Sequence, residues 1–155
     1  MDDNGYFLRF AATGAVAAID RYMDAEDEDR LDDATAAMSE VLYWWGIVNE
    51  RGSVDDDSLA PPEAYKFARN CATHRRIATS KHEGLGFPLQ YPLRYDKRLV
   101  WATTAAIQIG ARDLHKARVQ AERDAYEGHL SAMEVRPEMY LLRRVLTAFK
   151  DTPTE

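Results

Sequence analysis

The sequence is short of several things, and each shortage removes a class of protein. It holds a single cysteine, Cys71, so no disulfide framework can form and a reducing compartment is expected. No apolar run reaches the roughly 18 residues that span a bilayer. The chain opens Met-Asp-Asp-Asn rather than with a basic and then apolar leader, which leaves a cytoplasmic protein with no membrane partner as the expectation. Basic charge is in deficit: 20 Lys and Arg face 26 Asp and Glu, for a net charge of −6. That balance excludes a broad, non-specific nucleic-acid binder, because phosphate contacts dominate such affinity and a negative field opposes them. Also missing are G-x-x-x-x-G-K-[ST], G-x-G-x-x-G and G-x-S-x-G, and with them Walker-loop hydrolysis, dinucleotide chemistry and an esterase elbow. No cofactor is expected. His82, His115 and His129 have no acid or second histidine at the close spacing a metal site favours, so no metal is expected either.

What is present is a chain of 155 residues, long enough for one domain with a real core. Its periodicity is helical. Leu8, Ala12, Ala15, Val16, Ile19 and Met23 form one stripe and predict a helix over 6–23. The acidic stretch 24–29 then reads as a connection whose acids favour the start of the next helix. Leu31, Ala34, Met38, Val41, Trp45 and Val48 predict a second helix over 29–50, with Trp44 beside the stripe and Gly52 as its stop. After a polar loop, Pro61-Pro62 opens a third helix, expected to run to Ser80. Residues 84–104 are rich in Gly, Pro and aromatics. They predict an irregular or hairpin-like arm, with Phe87–Tyr95 turning at Asp96-Lys97 into Arg98–Thr103. That arm displays Phe87, Tyr91, Tyr95 and Trp101. Helix returns over 111–133, with Val119, Tyr126, Leu130 and Met133 as its spine. A last helix from Pro137 to Lys150 turns Leu142, Val145, Leu146 and Phe149 inward. The fold class expected is all-α: one domain over 1–150, a bundle of about five helices, and a frayed tail at 151–155.

Charge is uneven along the chain. Acid collects in 24–29, at Asp32-Asp33 and at Asp55-Asp56-Asp57, whereas Lys66, Arg69, Arg75, Arg76 and Lys81 crowd between Tyr65 and His82. In that basic segment lies Arg69-Asn70-Cys71-Ala72-Thr73-His74. It joins a permanent cation, an amide and the one side chain that titrates near neutral pH. On the third helix the apolar stripe would read Ala64, Phe67, Cys71, His74 and Ala78, putting Asn70 one turn from His74 and both on the buried edge. Arg69 and His74 would then stand about 140° apart at about 100° per residue. One straight helix does not bring them together easily; a long arginine wrapping the edge can, and so can two copies crossing at a two-fold seam.

An arginine, a polar residue, three more residues and a histidine on a helix of a small bundle resembles the HEPN superfamily, whose signature is R-x(4–6)-H with Asn, Asp or His favoured after the arginine; Arg69 to His74 has its commonest form, R-N-x-x-x-H. The resemblance implies a homodimer that cuts RNA without a metal, in a toxin–antitoxin or anti-phage setting, with an antitoxin or effector as a further partner. It implies His74 as general acid or base, Arg69 on the phosphate, and Asn70 orienting one of them. Lys66, Thr73, Arg75 and Arg76 would contact substrate. The products would be a 2′,3′-cyclic phosphate and a 5′-hydroxyl, with DNA spared for want of the 2′-hydroxyl.

Other readings of the same residues stand beside this one. Asn70 and His74 can be hydrogen-bonded core partners, and Arg69 can pair with an acid of the 55–57 loop. Arg76 to His82 and Arg123-Asp124 to His129 also fit the looser spacing, and the latter is a second candidate site. A non-catalytic adaptor, dimerising by the third helix and binding a protein through the aromatic arm, is the alternative function.

Overall fold

A computed structural model describes residues 3–52, 54–72, 77–82, 97–107 and 117–151. It is mostly helical, with six helices and one two-stranded sheet among the described residues. The all-α bundle expected from periodicity is the fold observed.

Helix α1 (Asp3–Asp27) and helix α2 (Leu31–Gly52) form an antiparallel pair, since Arg21 meets Glu40, Gly14 meets Trp44 and Leu8 meets Gly52. Small buried residues on α1 (Ala11, Ala12, Ala15 and Ala18) let the helices approach closely. Alanine is also the best helix former, which favours this length. The acidic stretch is not the connection it was expected to be: α1 runs on to Asp27. It ends in a Schellman turn, where Arg30 N donates to Ala25 O (2.8 Å) and Asp29 N to Glu26 O (3.1 Å). Asp29 takes the left-handed position of that turn, at φ 58°.

Glu26, within that acidic run, is 4% exposed. Its carboxylate accepts hydrogen bonds from the Tyr22 hydroxyl (2.9 Å), Leu99 N (3.1 Å) and Arg136 Nη1 (2.8 Å), and Arg98 Nη1 lies 3.7 Å away. A buried charge is tolerable only with such partners. Burial and the Glu26 carboxylate together push the Tyr22 phenol well above its ordinary range.

Helix α3 (Pro62–Ala72) starts at the proline as expected but stops well before Ser80. Ala78–His82 is a strand, β1, paired antiparallel with β2 (Lys97–Trp101). The correction has a physical basis in the β-branched and extended segment around Ile77 to Thr79, which gains ladder hydrogen bonds from β2 that a helix end would not. β2 pairs with Ala78–His82, and the expected partner segment Phe87–Tyr95 lies outside the described residues. Trp101, expected in an exposed arm, is fully buried. Its ring meets Tyr126 edge-on at 6.3 Å.

Beyond β2, a short helix α4 (Thr104–Ile107) precedes α5 (Ala117–His129). Met133, expected on the spine of that helix, is 60% exposed. It sits in a turn whose backbone pairs with β2: Trp101 N donates to Met133 O and Ala132 N to Trp101 O, both at 2.9 Å. The last helix, α6 (Val135–Lys150), buries Met139, Leu142, Val145 and Leu146 against α1 and β2. No helix among the described residues is long and apolar enough to cross a membrane.

Candidate functional site

Helix α3 buries Ala64, Tyr65, Phe67 and Ala68, and it packs on α2 and α5. Spacings of three and four then place Lys66, Arg69 and Asn70 together on its opposite side. Lys66 is half-buried and Asn70 exposed. Asn70 is thus not on the buried edge where the apolar stripe had put it. The described helix is Pro62–Ala72, and Ala78, expected at the end of its stripe, is buried on a strand instead. Thr73, His74, Arg75 and Arg76 lie outside the described residues.

Arg69 of the motif is anchored on the neighbouring helix. Its guanidinium crosses to α2, where Nη1 donates to Glu50 Oε1 at 3.1 Å. The acid is Glu50, not one of the 55–57 loop; Asp56 instead accepts from Ser58 and lies 3.9 Å from Arg144. The arginine side chain is 34% exposed and the glutamate 61%. Gly46, on the same side of α2 one turn earlier, makes the crossing possible. A Cβ there would stand 2.1 Å from Arg69 Nη1 and 3.0 Å from its Cζ. Sequence reading missed both Gly46 and Glu50. An isolated glycine inside a strong helical pattern was the available signal.

Cys71 is half-buried on the other side of α3. Burial, with Cys71 beside it, pushes the Tyr126 phenol up.

The second candidate site lies on α5, where its residues have local partners. On α5, Arg123 Nε donates to Glu127 (3.1 Å), Asp124 accepts from Gln120 (2.7 Å), and His129 is exposed. His129 instead borders a cavity of about 320 Å³ with Asp55, Asp56, Asp57, Trp45 and Tyr65. Tyr65 gives its hydroxyl to Glu138, which also accepts from Ala60 N at 3.1 Å, so this wall of the cavity is tied to α6. Among the described residues, Trp45 Nε1 is buried with no hydrogen-bond partner.

No family model, curated protein or solved structure matches this chain. The site has to be read from its own residues.

What those residues can do is limited and definite. A guanidinium anchored by a carboxylate and still partly exposed can bind a phosphate or carboxylate. Lys66 and Asn70 at neighbouring positions add one cation and one amide to the same side.

Proposed function

We propose that this chain is a metal-independent endoribonuclease of the HEPN type, working in the cytoplasm as a homodimer with a composite site. The observation that carries the reading is the placement of Lys66, Arg69 and Asn70 on the solvent side of α3, with Arg69 held in place rather than buried. In the reaction, the ribose 2′-oxygen attacks phosphorus and the 5′-oxygen leaves. His74 takes the proton from the former or supplies it to the latter. Arg69 stabilises the charge that builds on the phosphate oxygens, and Asn70 orients His74 or the phosphate. Lys66, Thr73, Arg75 and Arg76 hold flanking phosphates. The acidic chain fits a narrow RNA substrate, as expected of a toxin or anti-phage effector restrained by an antitoxin.

The test is RNA cleavage by wild-type protein, Arg69→Ala and His74→Ala, with the ends of the products identified. Cyclic phosphate and 5′-hydroxyl ends, lost in both folded variants, support the reading. Identical traces from all three proteins sink it.

One observation favours the non-catalytic helical interaction domain as a second reading. Glu50 and the seat over Gly46 account for Arg69 as a strap between α2 and α3 with no substrate involved. Folded variants that cut no RNA, and a co-purifying protein partner lost with surface substitutions, would select it.

A further inference from the structure

The helix pair α1–α2 carries an aromatic surface that nothing in the described fold covers. Tyr6, Phe7, Phe10 and Tyr43 are 51%, 46%, 53% and 53% exposed. They are joined rather than scattered. Tyr6 stacks on Phe10 (16° between planes, 6.4 Å), Phe10 meets Trp44 edge-on at 5.6 Å, and Trp44 meets Tyr43 at 5.2 Å. Phe7 closes one end beneath Arg51, 5.0 Å from its ring centre. The half-buried Trp44 lies over Gly14, where a Cβ would stand 2.8 Å from the indole. Exposed Thr13 and Ala17, both small, continue the surface toward Arg21, so it runs some 15 residues of α1, or about 22 Å.

We infer that this surface is where a second copy of the chain docks, two α1–α2 pairs joining face to face about a two-fold axis as a four-helix bundle. Charge selects this occupant. Arg21 is neutralised by Glu40 (2.6 Å), which also accepts from Trp44 Nε1, and Arg69 at the border is neutralised by Glu50. A chain of net charge −6 thus presents here a surface whose ion pairs are closed internally. Stacking aromatics alone would suit single-stranded RNA, but such grooves need uncancelled positive charge along the backbone track. A copy of the same surface needs none, and the cation left here without an ion pair among the described residues, Arg51, stands over Phe7 at one end rather than along a backbone track.

Area agrees. Four rings of ~200 Å² each, about half exposed, offer ~400 Å² of apolar surface, at the level of the largest patches on monomers. That is about half of the ~800 Å² each partner contributes to a standard interface. Half-buried Trp44 and exposed Thr13 and Ala17 border it and add to that area. Because Tyr43, Gly46 and Glu50 follow one another along one side of α2, two copies joined here would each carry Arg69 along the edge of the seam. The inference itself does not depend on RNA cleavage.

Sedimentation velocity on the full chain is the test. Wild type is expected at twice the 17.6 kDa chain mass at tens of micromolar. Phe10→Glu and, independently, Tyr43→Glu should weaken association at least ~10-fold with unchanged far-UV circular dichroism. In a Cys71→Ser background, Ala17→Cys should cross-link between chains on mild oxidation, and Glu63→Cys on α3 should not. A monomeric wild type overturns the inference, as does a dimer that survives both charge substitutions. A monomer that binds fluorescent oligouridylate and loses it in Tyr43→Glu also overturns it, in favour of a base-stacking platform.

Discussion

Arg69 lies across Gly46. Its Nη1 is 3.1 Å from Glu50 Oε1, and it occupies the space a Cβ at position 46 would need, 2.1 Å away. The atom in the way is the far end of a flexible side chain, so an alanine at position 46 displaces the arginine and leaves the helix intact.

Gly46→Ala therefore separates the position of Arg69 from the stability of the fold. The helix gains roughly 1 kcal/mol in propensity and loses a half-exposed ion pair worth roughly 0–1 kcal/mol. Urea unfolding should show a net change within about 1 kcal/mol. If Arg69 is the phosphate clamp, RNA cleavage falls at least ~10-fold in the same protein. Unchanged cleavage would mean the seat serves packing alone.

Arg69→Ala should likewise cost less than about 1 kcal/mol, because both partners of the ion pair reach solvent. A loss of several kcal/mol, read from the urea midpoint, would show that the strap is structural, and activity data on that variant would lose their meaning.

Glu26→Ala should be far more damaging. It leaves Arg136 and Arg98 facing a vacated buried site and removes the acceptor of Tyr22 and Leu99 N, joining α1 to β2 and α6. A cost of about 3–5 kcal/mol is expected from chemical denaturation. Glu26→Gln, which keeps an acceptor, should cost less.

Ala132→Gly should stabilise the protein by about 1 kcal/mol. Ala132 holds φ 62° in an exposed turn, where its Cβ is a liability and glycine has none. A thermal midpoint that fails to rise would show the strain is already relieved.

Acid should weaken the fold. Hydrogen bonding from Arg136 holds the Asp27 carboxyl below its usual range, and Arg21 does the same for Glu40. A carboxyl whose folded pKa is depressed contributes stability above its unfolded pKa and loses it as pH falls through the folded one. Stability should thus decline below about pH 4. Asp27→Asn should make that decline shallower in urea titrations at stepped pH, and an identical slope would exclude Asp27 as a contributor.

Much of the framework was legible because burial and helical period coincide. Ala34, Met38, Val41, Trp45 and Val48 were read as one stripe and are one buried stripe. The last helix was legible for the same reason. Residues 24–29 misled because charge was taken as a sign of solvent. Glu26 is buried, and its partners Arg98 and Arg136 are too distant in sequence for local pattern to reveal. Ala78–His82 misled because a five-residue strand is stabilised by its partner rather than by its own pattern.

The same division runs through the candidate site. The sequence by itself determined the helical bundle, the proline start of α3, and the presence of an R-N-x-x-x-H string with a cation, an amide and an imidazole. Those properties depend on neighbours within a few residues. Tertiary structure alone decided that Ala78 stands on a strand rather than on α3, that Asn70 faces solvent, that Arg69 rests on Gly46 beside Glu50, and that Trp101 is core. Each of those depends on which helix face meets which. Close approach, ion pairing and strand pairing between distant segments are set by packing, and packing is not written in any local period.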